Sequence, residues 1–295
     1  MIHSFSTWTL VILIIDLVIA IGAISALRYL QALFAGVNAD HELAQKDNHA
    51  FGLSTAGGAI AIALVMSAAI SGDDSASFFS EVFTVISFTL AGMLMLKMGM
   101  LINDKVLFSE IDIKQHVSDK NYSAGLLQAA NLIALGIIIR AAINWVEGDG
   151  AFSLVMVLAI FIASQIPLLL VTRLRMMVYK KRNRIRTLQT ALMSNNLALA
   201  IRYSGHVIGA ALAVSVSSEI VFYLSNNAFA SLVSWLWVAI IMAAVLSGLA
   251  LIVRKAVLPN INVGEEVDQQ NNIGVAAIEA VIFIAVGIIM VALLS

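Results

Sequence analysis

Seven side chains stand out against the apolar runs of this sequence: Asp16, Gln128, Asn131, Gln165, Arg202, His206 and Glu279. Carboxylates, amides, an imidazole and a guanidinium in such places can hold a small cation, pass protons or neutralise one another. Their spacing is ordered. Counting from Asn48, Asn121, Asn196 and Asn272, each of which opens an apolar run, Gln128 and Glu279 stand at position +7, with Thr55 and Tyr203 at the same place in the other two runs. Asn131 and His206 share position +10, and Arg202 sits one residue before Tyr203, at nearly the depth of Glu279. On a helix rising 1.5 Å per residue, that depth is ~10 Å from the start of the run. Asp16 lies near the middle of the first run, and Gln165 near the corresponding place of the fifth, beside Pro167. Two readings stand side by side. Either Arg202 and Glu279 form a structural ion pair that fixes helix order, or Asn131, His206, Glu279 and Asp16 mark a polar path for protons or small cations.

A fourfold internal repeat positions these residues. The four asparagines are 73, 75 and 76 residues apart. Position +4 is Gly52, Gly125, Ala200 and Ala276, and +8 is Ala56, Ala129, Ser204 and Ala280. Position +12 is isoleucine each time, and +15 is Ala63, Gly136, Ala211 and Gly287. Such self-similarity at a fixed period is the mark of a repeat architecture. At 100° per residue these four positions form one helical stripe, while +2 and +13 lie on the opposite side. Gly57 and Gly205 match at +9, and Gly205 with Gly209 makes a GxxxG pair. In lipid, small residues are what let helix backbones approach. Gly52, Gly57, Gly125, Gly205, Gly209 and Gly287 are therefore expected at helix contacts, with the Asn-headed helices inside and the Ile-, Leu-, Val- and Phe-rich ones outside. Each asparagine is a good N-cap. The sharper alternative is a ring of four amides at a vestibule, binding a cation or a partner.

Composition says where such helices live. The chain is 61% hydrophobic and 12% charged, with a mean hydropathy of +0.96, whereas soluble domains carry about 25% charged residues. Eight runs, at 8–30, 48–70, 78–101, 121–143, 152–172, 196–217, 229–253 and 272–294, reach the ~20 residues that cross a hydrocarbon layer. The expected fold class is an all-α integral membrane protein: eight transmembrane helices as four parallel helical-hairpin repeats, in two four-helix halves at 1–147 and 148–295. The first run lacks a basic lead-in and a cleavage site, so it reads as a retained span. The absence of cysteine excludes a disulfide or thiolate site. No phosphate loop, HExxH or nucleophile elbow occurs, so neither enzymatic chemistry nor a cofactor or metal is expected.

Fifteen of the 17 basic residues fall in the connections after the first, third, fifth and seventh runs or at the adjoining run ends; Arg140 and Arg202 lie inside runs. The opposite connections carry only acids, Asp73, Asp74, Glu147, Asp149 and Glu219. Basic loops stay cytoplasmic, which puts both termini in the periplasm. Arg140 is expected to snorkel toward Glu147 or Asp149. The most basic stretch, with Arg173, Arg175, Lys180, Lys181, Arg182, Arg184 and Arg186, suits anionic lipid or a cytoplasmic protein better than nucleic acid. The bilayer is the one certain partner, and a homo-oligomer stays open.

The Asn-headed helices with polar lead-ins (residues 47–51, 194–198 and 270–274) and the later glycines Gly57 and Gly205 resemble the bacterial inner-membrane family called domain of unknown function 350, the YjfL-like proteins. Repeats two and four depart from the pattern, with Ala130 and Val281 in place of that glycine. The resemblance spans both halves. It implies two tandem copies, a multi-pass protein of the inner (plasma) membrane, no established activity, and a genomic neighbourhood of envelope-stress and peptide-ligating genes. Two functional expectations follow: a small-cation or proton permeation protein with a polar path between the Asn-headed helices, or a non-transporting scaffold docking a cytoplasmic partner or anionic lipid.

Overall fold

The structure, a computed structural model, describes residues 7–71, 78–146 and 151–294. Eight helices are long and apolar enough to cross a membrane. In chain order the helices are α1 (Thr7–Ala35), α2 (His49–Ile70), α3 (Phe78–Ile102), the short α4 (Ile113–Ser118), α5 (Tyr122–Trp145), α6 (Ala151–Arg182), the short α7 (Leu188–Met193), α8 (Leu197–Ser215), the short α9 (Ser217–Ile220), α10 (Ala228–Val257), the short α11 (Val263–Asp268) and α12 (Ile273–Leu294). Among the described residues there is no strand. The eight expected runs fall on the eight long helices, and the largest difference in length is at α6. Helix α6 continues past residue 172 to Arg182, carrying Lys180, Lys181 and Arg182 in its last turn. Basic side chains complement the negative end of the helix dipole, so the helix ends where its charge belongs.

The connections after the first, third, fifth and seventh runs, read from sequence as loops, contain short helices. Helices α4, α7 and α11 are N-capped by Asp112, Thr187 and Asn262, which accept from the N–H of Gln115, Thr190 and Glu265 at 3.1, 3.2 and 3.4 Å. In the first repeat a π-turn at His41–Gln45 takes their place. All four connections then end alike. The residue before each capping asparagine, Asp47, Lys120, Asn195 and Asn271, has φ of 49°, 62°, 61° and 55°. Asn and Asp tolerate this left-handed conformation, while for other L-residues it costs roughly 1–2 kcal/mol. Lys120 therefore carries backbone strain.

The reversal delivers the asparagines to their caps. The Oδ1 of Asn48, Asn121, Asn196 and Asn272 accepts from the N–H of Phe51, Ala124, Leu199 and Val275 at 3.0, 3.2, 2.9 and 3.1 Å, a bond typically worth about 1 kcal/mol. The other end of the amide ties repeats together. Asn48 Nδ2 donates to the carbonyl of Val117 (2.9 Å), Asn121 to Met193 (2.8 Å) and Asn196 to Val267 (3.4 Å), each in the next repeat. These three amides are thus caps and clasps, with both ends on backbone and not on a vestibule. Asn48 also donates to Glu42, as Asn272 does to Glu266, both at 2.8 Å. Burial alone would raise the Glu42 carboxyl, but hydrogen bonds from Lys46 and Asn48 hold it below its ordinary value.

The Asn-headed helices pack in a row: α2 on α5, α5 on α8, α8 on α12. Helices α2 and α12 do not pack side by side, so the row does not close on itself. Contact within each half is backbone to backbone. A methyl group on Gly57 would fall on the backbone of Ala129, on Gly125 on that of Ala50, and on Gly136 on that of Ala61. In the second half Gly205 meets Ala280, Gly209 meets the Phe283 backbone, and Gly287 meets Leu212 and the Gly209 carbonyl. Gly52 departs from expectation, facing only Leu43 of its own repeat at 3.6 Å. Inner placement holds best for α5 and α8, mid-row. Helix α12, at an end, is less buried than α6, which flanks the middle. Arg140 is exposed; its expected partners Glu147 and Asp149, like Asp73 and Asp74, lie outside the described residues.

Candidate functional site

The densest charge in the protein gathers one to two turns inside the N-terminal ends of α8 and α12. Arg202 Nε lies 2.7 Å from Glu279 Oε2, and its Nη1 donates to Asp268 Oδ1 at 3.0 Å. The Nε–H is not aligned on the carboxylate oxygen, so the shorter contact is a charge contact and not a directed hydrogen bond. Arg254, near the C-terminal end of α10, donates to Glu279 Oε1 at 2.9 Å, and His206 Nε2 stands 3.7 Å from that oxygen. The carboxylates are 0% and 2% exposed for Glu279 and Asp268. Burial holds the Asp268 carboxyl above its ordinary range, against the pull of Arg202 and a hydrogen bond from Asn183. Arg175 of α6 completes the group. Its guanidinium lies 4.5 Å from the centroid of the Phe283 ring, and its buried Nε has no hydrogen-bond acceptor.

These groups border a cavity of about 410 Å³ between α6, α8 and α10. Its walls are Val171, Leu174, Val178, Leu199 and Leu251, and its polar end is Arg175, Arg182, Arg202 and Arg254 with Asp268. Leu174, Val178 and Leu251 are themselves 56%, 47% and 43% exposed, so the apolar side is open laterally toward the lipid layer. A smaller pocket of about 260 Å³ adjoins it, sharing Arg182 and Arg254 and adding Lys255 and the turn at 258–264. Four guanidiniums face two carboxylates. At the opposite end of these helices, Trp145 donates to the Val221 carbonyl and packs on Tyr223, while Trp235 Nε1 donates to Ser218 at 3.0 Å. Aromatic packing thus occupies the end facing away from the cavity.

The remaining expected residues lie elsewhere. Gln128 accepts from Ser54 Oγ at 2.6 Å. Ser54 and Arg202 share position +6, as Gln128 and Glu279 share +7, so the first half makes a neutral pair where the second makes an ionic one. Asn131 accepts from the Tyr203 hydroxyl at 3.1 Å, joining α5 to α8. Gln165 donates to the Phe161 carbonyl inside its own helix at 3.0 Å. Asp16 is buried in α1, which packs on α2 and α3. Asp16 and Gln165 are therefore not gathered with His206 and Glu279 into one path. Arg175, Arg254 and Asp268 were not singled out as site residues from sequence. The available signal was positional: Arg175 lies three residues past the end of the fifth run, and Asp268 is four residues before a repeat asparagine.

A row of closely packed apolar helices with a buried charge cluster defines a multi-span helical membrane protein. The family described as Domain of Unknown Function (DUF350) matches residues 5–143 and again 150–294, and the chain belongs to that family as two tandem copies. No curated protein and no solved structure matches it.

Proposed function

We propose that the second half binds an anionic amphiphile, a lipid whose phosphate sits among the arginines and whose acyl chain lies along the apolar wall. One observation carries this: an apolar cavity open toward lipid ends in four guanidiniums against one lining carboxylate, Asp268, and Arg175 Nε has no acceptor. A buried cation calls for an anion, and bidentate recognition of phosphate is what arginine does best. The adjoining pocket around Lys255 offers room for a headgroup. Cation or proton permeation is the competing reading. Arg202 and Arg254 hold both oxygens of Glu279, so an entering cation would have to displace two guanidiniums.

Retention of phosphatidylglycerol against phosphatidylcholine, read by native mass spectrometry and thermal unfolding in nanodiscs, tests the proposal. Phosphatidylglycerol should be retained preferentially and raise the melting temperature, and inorganic phosphate should not replace it, because the walls need an acyl chain. Arg175→Gln should abolish that increment while leaving melting in pure phosphatidylcholine unchanged or higher. Equal retention of the two lipids, or an unaffected increment in Arg175→Gln, refutes the proposal. Proton flux in liposomes that depends on Glu279 would favour permeation instead.

We infer from the distribution of Lys and Arg that the Asn-headed ends face the cytoplasm of a bacterium, with both termini across the inner membrane. In this cysteine-free chain, single cysteines at Ser225 and Arg184 should react with an impermeant maleimide from outside and only after lysis, respectively. Labelling of both from outside would overturn the orientation.

A further inference from the structure

The contacts between consecutive Asn-headed helices are built alike. In both halves the residue at +9 of one helix meets the residue at +8 of the next: Gly57 with Ala129, and Gly205 with Ala280. Between α5 and α8 the corresponding residues, Ala130 and Ser204, are both buried. An asparagine clasp accompanies each of the three contacts.

Two complementary faces are left over at the ends of the row. On α2, Leu53, Ala56, Ile60 and Ala63 are exposed, although Ala129, Ser204 and Ala280, the counterparts of Ala56, are all buried. On α12, Gly274, Ile278 and Val281 are exposed, although Ser54, Leu127 and Arg202, the counterparts of Ile278, are buried. The clasp runs out at the same end. Asn272 Nδ2 donates to Glu266 of its own repeat and not to a carbonyl of another.

We propose that a second copy of this chain continues the row, the +9 face of α12 in one copy seating on the +8 face of α2 in the next. The occupant is a second copy because the open faces match one another through the same repeat that makes the three internal contacts. The assembly would extend an interface the chain already uses, with Val281 opposite Ala56. Such a contact is head to tail, and it closes into a ring when the rotation permits. Val281 stands where the tight contacts have glycine, so this junction is wider than α2–α5 or α8–α12. It is closer in kind to the α5–α8 junction, where Ala130 fills that place.

Cysteine cross-linking in membranes tests the arrangement. Two differently tagged copies, one Ala56→Cys and one Val281→Cys, should form a mixed disulfide on mild oxidation, and neither should link to itself. Loss of maleimide labelling in Ser54→Cys/Gln128→Cys, whose wild-type side chains touch at 2.6 Å, reports that oxidation is effective. Self-links of either variant without the mixed species would mean a two-fold contact and overturn the proposal. So would no link at all while the internal pair closes, which would leave lipid as the cover of both faces. Should the variants fail to accumulate, photobleaching of the fluorescently tagged wild-type chain in bilayers decides: two or more steps per spot support it, and single steps overturn it.

Discussion

Gly205→Ala should lower stability by roughly 1–3 kcal/mol, the usual range for an overpacked site, whereas Gly248→Ala should raise it by up to about 1 kcal/mol through helix propensity. The chemical change is identical and both residues lie within long helices. The surroundings differ. A methyl at Gly205 lands on the Cα, Cβ and carbonyl oxygen of Ala280, and no rotamer relieves a clash with backbone. At Gly248 nothing lies within 4 Å. Any separation of α8 from α12 at Gly205 also opens the Arg202–Glu279 contact one turn away. Gly205→Leu should prevent the two helices from pairing and sharply reduce the folded yield, while Leu13→Ile on the exposed side of α1 should be nearly silent. Thermal unfolding in detergent gives all four values. Equal tolerance at Gly205 and Gly248 would remove the close approach of α8 and α12 from the account.

The spans and the repeat were legible because lipid imposes a length and a composition, and because close helix contact requires small residues at fixed offsets. Gly57, Gly125, Gly205, Gly209 and Gly287 meet neighbouring helices for that reason. Asn48, Asn121, Asn196 and Asn272 announced themselves as caps through residue type and position. Their second role was not legible, because the clasp acceptors are backbone carbonyls, which any residue carries. The reversal before each cap was equally hidden. Asp47, Asn195 and Asn271 suit a positive φ, but Lys120 carries no such hint. Whether the Asn-headed helices form a row or a ring was not legible, because equal repeats say nothing about the angle between successive units. Ser54 with Gln128 occupies the same repeat positions as Arg202 with Glu279, +6 and +7, but only the second pair is charged, so only the second was read as a pair. Arg175 and Arg254 come from the flanking helices α6 and α10, whose periodicity does not say which face meets α8.

Glu279→Gln should cost roughly 3–5 kcal/mol, the range for removing one partner of a buried ion pair, because it takes a carboxylate from two guanidiniums at once, Arg202 and Arg254. Read as an isolated pair, Arg202 and Glu279 predict that Arg202→Met added to Glu279→Gln restores most of the loss. The structure changes that expectation. Removing Arg202 also deprives Asp268 of its 3.0 Å partner, and removing Glu279 deprives Arg254 of its 2.9 Å one. The double variant therefore leaves Asp268 without Arg202 and Arg254 without Glu279, and it should recover only part of the stability. A coupling of 0.5–3 kcal/mol is still required between groups in contact, so the double loss should fall short of the sum of the single losses. Full recovery requires neutralising the four-member network together, with Asp268→Asn and Arg254→Met added. Strict additivity of Arg202→Met and Glu279→Gln in thermal or denaturant unfolding would refute their contact. Complete recovery in the double variant would refute the network and leave a simple pair. If the quadruple variant folds, it should also lose the preference for phosphatidylglycerol over phosphatidylcholine, because Arg202 and Arg254 are two of the four cations at the cavity's polar end. Stability and lipid retention then separate what the cluster holds together from what it holds.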